Sequence, residues 1–161
     1  MLPKPKRPAI KKEGKAMALN INLEIVTPFG PALKETVEMV SAPATEGSLG
    51  ILPNHLPLMT TLDIGVVKYI KEGEEHFMAI SGGFLEVREN KVVILANAAE
   101  KAEEIDVPRA ADAKDRAERR LKHQLDTTDL DCNQARLSLK RAKNRIKVAE
   151  MAKFAKDQNR L

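Results

Sequence analysis

The apolar period of this chain changes once, across Glu100–Ala110, and the change separates two kinds of structure. Before it, apolar and polar residues alternate, as in Leu19-Asn20-Ile21-Asn22-Leu23-Glu24-Ile25. That is the pattern of a strand with one face on a core. After it, apolar residues recur at helical spacing. At the junction, the Asp106 carboxylate can accept from the free N–H groups of a first helical turn. Pro108 follows near the first helical position, where a missing N–H does no harm. Ile105–Ala110 therefore reads as a hinge entering a helix. It also brings an acid, an apolar side chain and Arg109 together, the makings of a small ligand site. The alternative is a linker closed by a helix cap.

The first part, residues 17–99, carries short strand patterns at Val37–Ala42, Leu56–Leu62, Ile64–Lys71, Glu75–Ile80, Phe84–Arg88 and Lys91–Ala96. Thr27–Pro31, Glu72-Gly73 and Glu89-Asn90 supply turns, and Glu46–His55 a glycine-bent apolar stretch. Ser81-Gly82-Gly83 permits a bulge or a close backbone approach. Many short strands at near-regular spacing predict an antiparallel sandwich or barrel.

The second part, residues 100–161, predicts a hinge and a helical hairpin. Helix one runs from about Val107 to Leu125, with Ala113, Ala117, Leu121 and Leu125 at i, i+4 spacing. Thr127–Asp129 breaks it, and Thr128 with Asp131 resembles a capping box. Helix two runs to about Lys153 or beyond, with a seam of Ala135, Leu139, Ala142, Ile146 and Ala149. Alanine stripes gain little on burial. The hairpin is thus expected to be helical by propensity yet weakly fastened.

The net charge of +4 hides a partition. Residues 1–16 carry six basic residues and one acid, residues 17–97 five and ten, and residues 98–161 sixteen and twelve. An acidic β region thus meets a basic helical one. Residues 1–16 are Pro/Lys-rich without an apolar run, which reads as a disordered basic extension, a leader before an alternative start at Met17. Aromatics make up only 3% of the chain, which argues against a nucleic-acid binder built on base stacking. The single Cys132 makes no internal disulfide and suits a reducing compartment. No apolar run is long enough to span a bilayer, so any membrane contact goes through a partner.

His55, His76 and His123 show no metal-ligand spacing, and no nucleophile–base arrangement stands out. Gly47-Ser48-Leu49-Gly50 lacks the following Lys-Ser/Thr of a phosphate loop. The chain therefore reads as non-catalytic and metal-free. Arg141 and Arg145, at i, i+4, share a helix face and can grip phosphates. Arg109 and Arg116 join them if the hairpin folds back on itself. The alternative is a solvated basic face.

Val26-Thr27-Pro28 with Gly30, then Gly47–His55, Ser81–Val87 and Arg116–Leu121, come in an order that identifies a family. The chain resembles the epsilon subunit of bacterial and chloroplast rotary F-type ATP synthases, equivalent to the mitochondrial delta subunit. The resemblance covers about Leu19 to Ala149. It implies a ten-stranded antiparallel β-sandwich followed by an antiparallel two-helix hairpin. It implies a central-stalk subunit that contacts the gamma subunit and the c-ring, peripheral on the cytoplasmic face of the bacterial plasma membrane. Its hairpin would fold on the sandwich or extend toward the alpha/beta hexamer, where it impedes ATP hydrolysis.

Some members bind ATP as a regulatory ligand through an Ile/Leu-Asp-x-x-Arg-Ala motif, present here as Ile105-Asp106-Val107-Pro108-Arg109-Ala110. By the resemblance, Glu100 is the matching upstream acid, and Arg116, Arg141 and Arg145 match phosphate-side positions. Ile105 and Asp106 would hold the adenine end, without a required Mg²⁺. The loop Leu125–Asp131 is slightly longer than in close relatives, and a tail follows Ala149. Other classes remain open: a purely structural stalk connector, a free nucleotide sensor, or a nucleic-acid-binding hairpin suggested only by a pI near 9.2.

Overall fold

Residues 20–122 and 129–159 are described by the computed structural model. The alternation becomes eight strands among them: β1 (Ile21–Thr27), β2 (Gly30–Val37), β3 (Met39–Ala44), β4 (Gly47–Ile51), β5 (Leu58–Lys71), β6 (Glu74–Arg88), β7 (Lys91–Ala96) and β8 (Ala99–Lys101). Ile21, Leu23 and Ile25 of β1 are buried, as are Val92, Ile94 and Ala96 of β7. Both strands therefore turn alternate residues to one core.

The long β5–β6 hairpin organises the rest. It is closed by Glu72-Gly73, with φ of 54° and 78°. The β6–β7 hairpin is closed by Glu89-Asn90, with φ of 50° and 58°. Two consecutive positive φ angles match the twist of the flanking strands. The β5–β6 ladder lapses only between Leu62↔Gly83 and Ile64↔Ser81 and resumes in the same register. Gly83 stands at that lapse with φ 142°, and a side chain there would run into the Leu95 carbonyl. The approach expected at Ser81-Gly82-Gly83 is thus made by β7.

On one side of the lapse, β6 pairs with β7, which leads to β1 and β2. On the other, β5 pairs mainly with β3 and β6 with β8, while β4 lies on the far edge of β3. The two layers share one core, with Leu23, Ile94 and Leu85 meeting Val40, Val67, Met78 and Ile80.

Three sequence expectations change here. The strand count among the described residues is eight rather than ten, because Leu56–Leu62 with Ile64–Lys71, and Glu75–Ile80 with Phe84–Arg88, join into single bent strands. The sheet is not purely antiparallel, because β1 inserts between β2 and β7 and runs parallel to β7 from Asn22↔Lys91 to Val26↔Leu95. Gly30–Val37 and Gly47–Ile51 are strands, although proline or glycine obscured them. Both are edge strands, where Pro31 removes no needed ladder bond.

Beyond β8, one 3-10 turn (Ala102–Glu104) leads to α1 (Val107–Lys122) and α2 (Asp129–Gln158). Glu100 is thus a strand residue, and α2 continues past Lys153 to Gln158, as the sequence allowed. Residues 1–19, His123, Leu125, Thr127 and Thr128 lie outside the described residues, and Asp129, expected in the break, is the first residue of α2. The helix pair packs through small side chains, with Ala110, Ala117, Ala135 and Ala142 buried. The other face of α2 lies on the second layer, where Val148 joins Phe77, Ala79 and Ala102. Ile105, Met151 and Ala155 pack around that cluster. The hairpin is therefore folded down on the sandwich.

Candidate functional site

The site grows from the helix entry. Asp106 Oδ1 accepts the Arg109 N–H at 2.9 Å, and the Asp106 carbonyl accepts from Ala110. Asp106 is therefore the cap expected of it, and Oδ2 remains as a second acceptor. Helix α1 begins at Val107, so Pro108 is its second residue, still within the turn whose N–H groups have no helical partner.

Capping aims the first turn of α1 at β8 and α2. A cavity of ≈ 350 Å³ opens there, lined by Glu100, Glu104, Asp106, Arg109, Arg116 and Arg145, with Ala110 and Ala113 as its apolar wall. Glu100 and Arg145 are joined by two bonds: Nε to Oε2 at 2.8 Å and Nη2 to Oε1 at 2.6 Å. This fork is the strong form of carboxylate–guanidinium pairing. It ties the last strand of the sandwich to the second helix across the hinge.

Six of the eight residues singled out in the sequence line this one cavity: Glu100, Asp106, Arg109, Ala110, Arg116 and Arg145. Ile105 does not; it packs against the Phe77–Val148 cluster. Arg141 lines two neighbouring spaces instead and donates from Nη2 to Ser138 Oγ at 3.2 Å. One of these is a cleft of ≈ 270 Å³ between the helices, which shares Arg116 and Arg145 with the first cavity. The arrangement offers acceptors at the hinge end and guanidinium groups along the helices.

Two further contacts hold the hairpin down, and sequence reasoning missed both. Lys140 pairs with Asp63, at the lapse in the β5–β6 ladder. That bond holds the Asp63 carboxyl below the usual carboxylate range, with the Ile64 N–H assisting and partial burial opposing. Asn144 is buried and donates to the carbonyls of Gly65 and Ile80. Asn144 lies inside Arg141-Ala142-Lys143-Asn144-Arg145, where the basic residues drew attention away from it. Glu104 was hidden in the acidic run Glu103-Glu104 before the motif.

The two described histidines serve locally. His76 stacks on Tyr69, with ring centroids 5.1 Å apart, and His55 bonds the Leu56 carbonyl through Nδ1. Among the described residues, no three His, Cys, Asp or Glu side chains gather as metal ligands, and no helix is long and apolar enough to cross a membrane.

Residues 20–102 match the family described as ATP synthase, delta/epsilon chain, beta-sandwich domain, and residues 103–150 match its long alpha-helix domain. The ATP synthase epsilon chain of Bacillus velezensis is 51% identical over 129 residues, which span 80% of this chain and 96% of that one. That of Carboxydothermus hydrogenoformans is 57% identical over 105 residues, 65% of this chain and 78% of that one. A chain of the Euglena gracilis mitochondrial ATP synthase shares the fold with a TM-score of 0.70 at 22% identity, over 94% of this chain and 96% of that chain. With both parts of the chain matched in order, and matched across the hinge where the cavity lies, this protein belongs to the ATP synthase delta/epsilon chain family.

Proposed function

We propose that this chain is a non-catalytic central-stalk subunit of a rotary F-type ATP synthase, and that its hairpin is a switch held folded by ATP. The sandwich contacts the gamma subunit and the c-ring, and the complex attaches it to the cytoplasmic face of the bacterial plasma membrane. The neighbour from Tetrahymena thermophila belongs to a central stalk and c-ring assembly, which supports these partners. Extended, α1 and α2 reach the alpha/beta hexamer and impede hydrolysis. Folded, they leave the enzyme free to turn over.

One observation carries the switch. The ≈ 350 Å³ cavity is built from β8, the hinge, α1 and α2 together, so it exists only while the hairpin is down. A ligand bound there favours the folded form by its differential affinity for that form. Asp106 suits the adenine amino group, and the arginines suit the phosphates, with no Mg²⁺ needed. The test is hydrolysis by the assembled enzyme with a chain ending after Ala110. Hydrolysis should rise while synthesis stays coupled.

A structural connector without a nucleotide response is the second reading. The Lys140–Asp63, Asn144–Gly65 and Arg145–Glu100 contacts favour it, because they fasten the hairpin without any ligand. Paired labels on Ala155 and the sandwich, read with and without ATP, separate the two. A distance that ignores ATP leaves the connector.

A further inference from the structure

The match to the long alpha-helix domain ends at residue 150, but α2 continues without a break to Gln158. The two added turns are not a solvated overhang. Met151, Ala152 and Ala155 are half-buried, whereas Lys153, Phe154 and Lys156 are exposed. With the fully buried Val148, the first three stand at i, i+3, i+4 and i+7, one stripe of a helix. That stripe packs into the cluster of Phe77 and Ala79 from the second layer and Ala102 and Ile105 from the hinge. Side-chain size does not choose the buried face, because Phe154 is 67% exposed while the alanines turn inward. Small residues on both sides, Ala152 and Ala155 against Ala79 and Ala102, suit a close approach of the helix.

Upstream on α2 the docking contacts are polar: Lys140 to Asp63, Asn144 to the Gly65 carbonyl and Arg145 to Glu100. Polar groups exchange such partners for water at modest net cost when the hairpin leaves. Apolar surface has no such replacement. Up to residue 150, α2 gives the cluster only Val148 among the described residues; the rest of its share comes from the added turns. Ala102 and Ile105 belong to the same cluster, so the tail also lies on the segment through which the hairpin would swing out. Asn144 is about two turns upstream of Met151 on one continuous helix. Holding the tail therefore holds the polar contacts in place.

We propose that residues 151–158 are a docking strap, an apolar contact at the far end of α2 that biases the hairpin toward the folded form before any ligand binds. Its consequence in the enzyme rests on the switch reading above; the contact itself does not. Added length in α2 would lengthen the arm that reaches the hexamer, but here the same length raises the population that stays down.

The test is hydrogen exchange on the full chain without nucleotide, for the wild type, Met151→Gln, Ala155→Gln and Phe154→Gln. Glutamine keeps helix propensity and adds no charge. The amides of α1 are read, because no α1 residue belongs to the cluster. Met151→Gln should speed their exchange roughly fivefold, the effect of losing part of one apolar contact. Ala155→Gln, which overfills the contact, should do so at least as much. Phe154→Gln should leave α1 unchanged. Faster exchange confined to the last two turns of α2, no change at all, or an equal effect of Phe154→Gln would overturn the strap. Met151→Ala repeats the test if circular dichroism shows lost helix in the glutamine variant. Hydrolysis by the assembled enzyme tests the switch separately, and it should fall with Met151→Gln and Ala155→Gln. Faster α1 exchange with unchanged hydrolysis keeps the strap and removes the switch reading.

Discussion

Asn144, midway along α2, donates from Nδ2 to the Gly65 carbonyl at 2.8 Å, and a longer contact of 3.5 Å reaches the Ile80 carbonyl. Gly65 and Ile80 face each other across the β5–β6 ladder. One buried amide therefore spans both strands of the hairpin that organises the sandwich. Position 65 itself admits only glycine without a shift, because Pro43 lies where a side chain would stand. Lys140 and Arg145 flank Asn144 on the same helix and bind Asp63 and Glu100. The docked hairpin is thus held by geometry at three polar points, beside a small apolar cluster.

Replacing Asn144 with alanine should loosen this docking by about 1–2 kcal/mol, since the buried carbonyls lose their donor. Hydrogen exchange should speed up along α2 and α1 while β1 and β7 keep their protection. Unchanged exchange in α2 would mean that the amide contributes nothing to docking.

The Asp63–Lys140 contact predicts a pH response. Lys140 holds the Asp63 carboxyl below its usual range, so the folded form binds its proton less readily than the unfolded form does. A depressed carboxylate contributes stability above its unfolded pKa, and that contribution disappears as pH falls through the folded value. Docking should weaken as pH drops below about 4. The label distance should show this in the wild type, and Asp63→Asn should flatten the change.

Tyr69 is the one tyrosine in the chain, so its titration can be read without overlap. Burial, with the charges of Glu103 and Glu35 adding to it, pushes its phenol up to about 12. The neutral phenol stabilises the fold fully below its unfolded pKa of about 10, and the contribution is lost as pH rises toward the folded value. Phenolate absorbance should therefore appear late in the native chain and near pH 10 in denaturant. A native midpoint near 10 would contradict the burial of this ring.

Gly83→Ala should damage the sandwich itself. The new methyl would meet the Leu95 carbonyl and stand 2.9 Å from the Ala96 Cα, at a φ of 142°. Backbone rather than a flexible side chain must move, so the loss should be about 3 kcal/mol. Urea unfolding should show a lower midpoint with an unchanged slope.

The nucleotide reading predicts weaker ATP binding for both Arg109→Ala and Arg141→Ala. Arg109 lines the hinge cavity and Arg141 the cleft beside it. At an ATP concentration ~100-fold above Kd, binding would favour the folded hairpin by roughly 2.7 kcal/mol. Equal affinity in the wild type and both variants would place the nucleotide elsewhere.

The sequence by itself determined the elements whose signals are local. Alternation at Leu19–Ile25 and Lys91–Ala96, the turns at Glu72-Gly73 and Glu89-Asn90, and the Asp106 cap depend on neighbouring residues only. The family resemblance of the motif at Ile105–Ala110 added Glu100 and the helix arginines to one expected site, and six of the eight named residues line one cavity. Tertiary structure decided whatever depends on which surfaces meet. Nothing along the chain shows that β1 pairs parallel to β7, because strand order is set by the closing of two layers over one core. Nor does alternation reveal that β5 and β6 continue through their bend, since a lapse in pairing has no period. The role of Asn144 was equally hidden: a polar residue in a helix reads as solvated until the carbonyls of Gly65 and Ile80 are brought against it. Ile105 and Arg141 left the expected cavity for the same reason. The sandwich draws Ile105 into its apolar cluster, and the helix pairing turns Arg141 into the cleft.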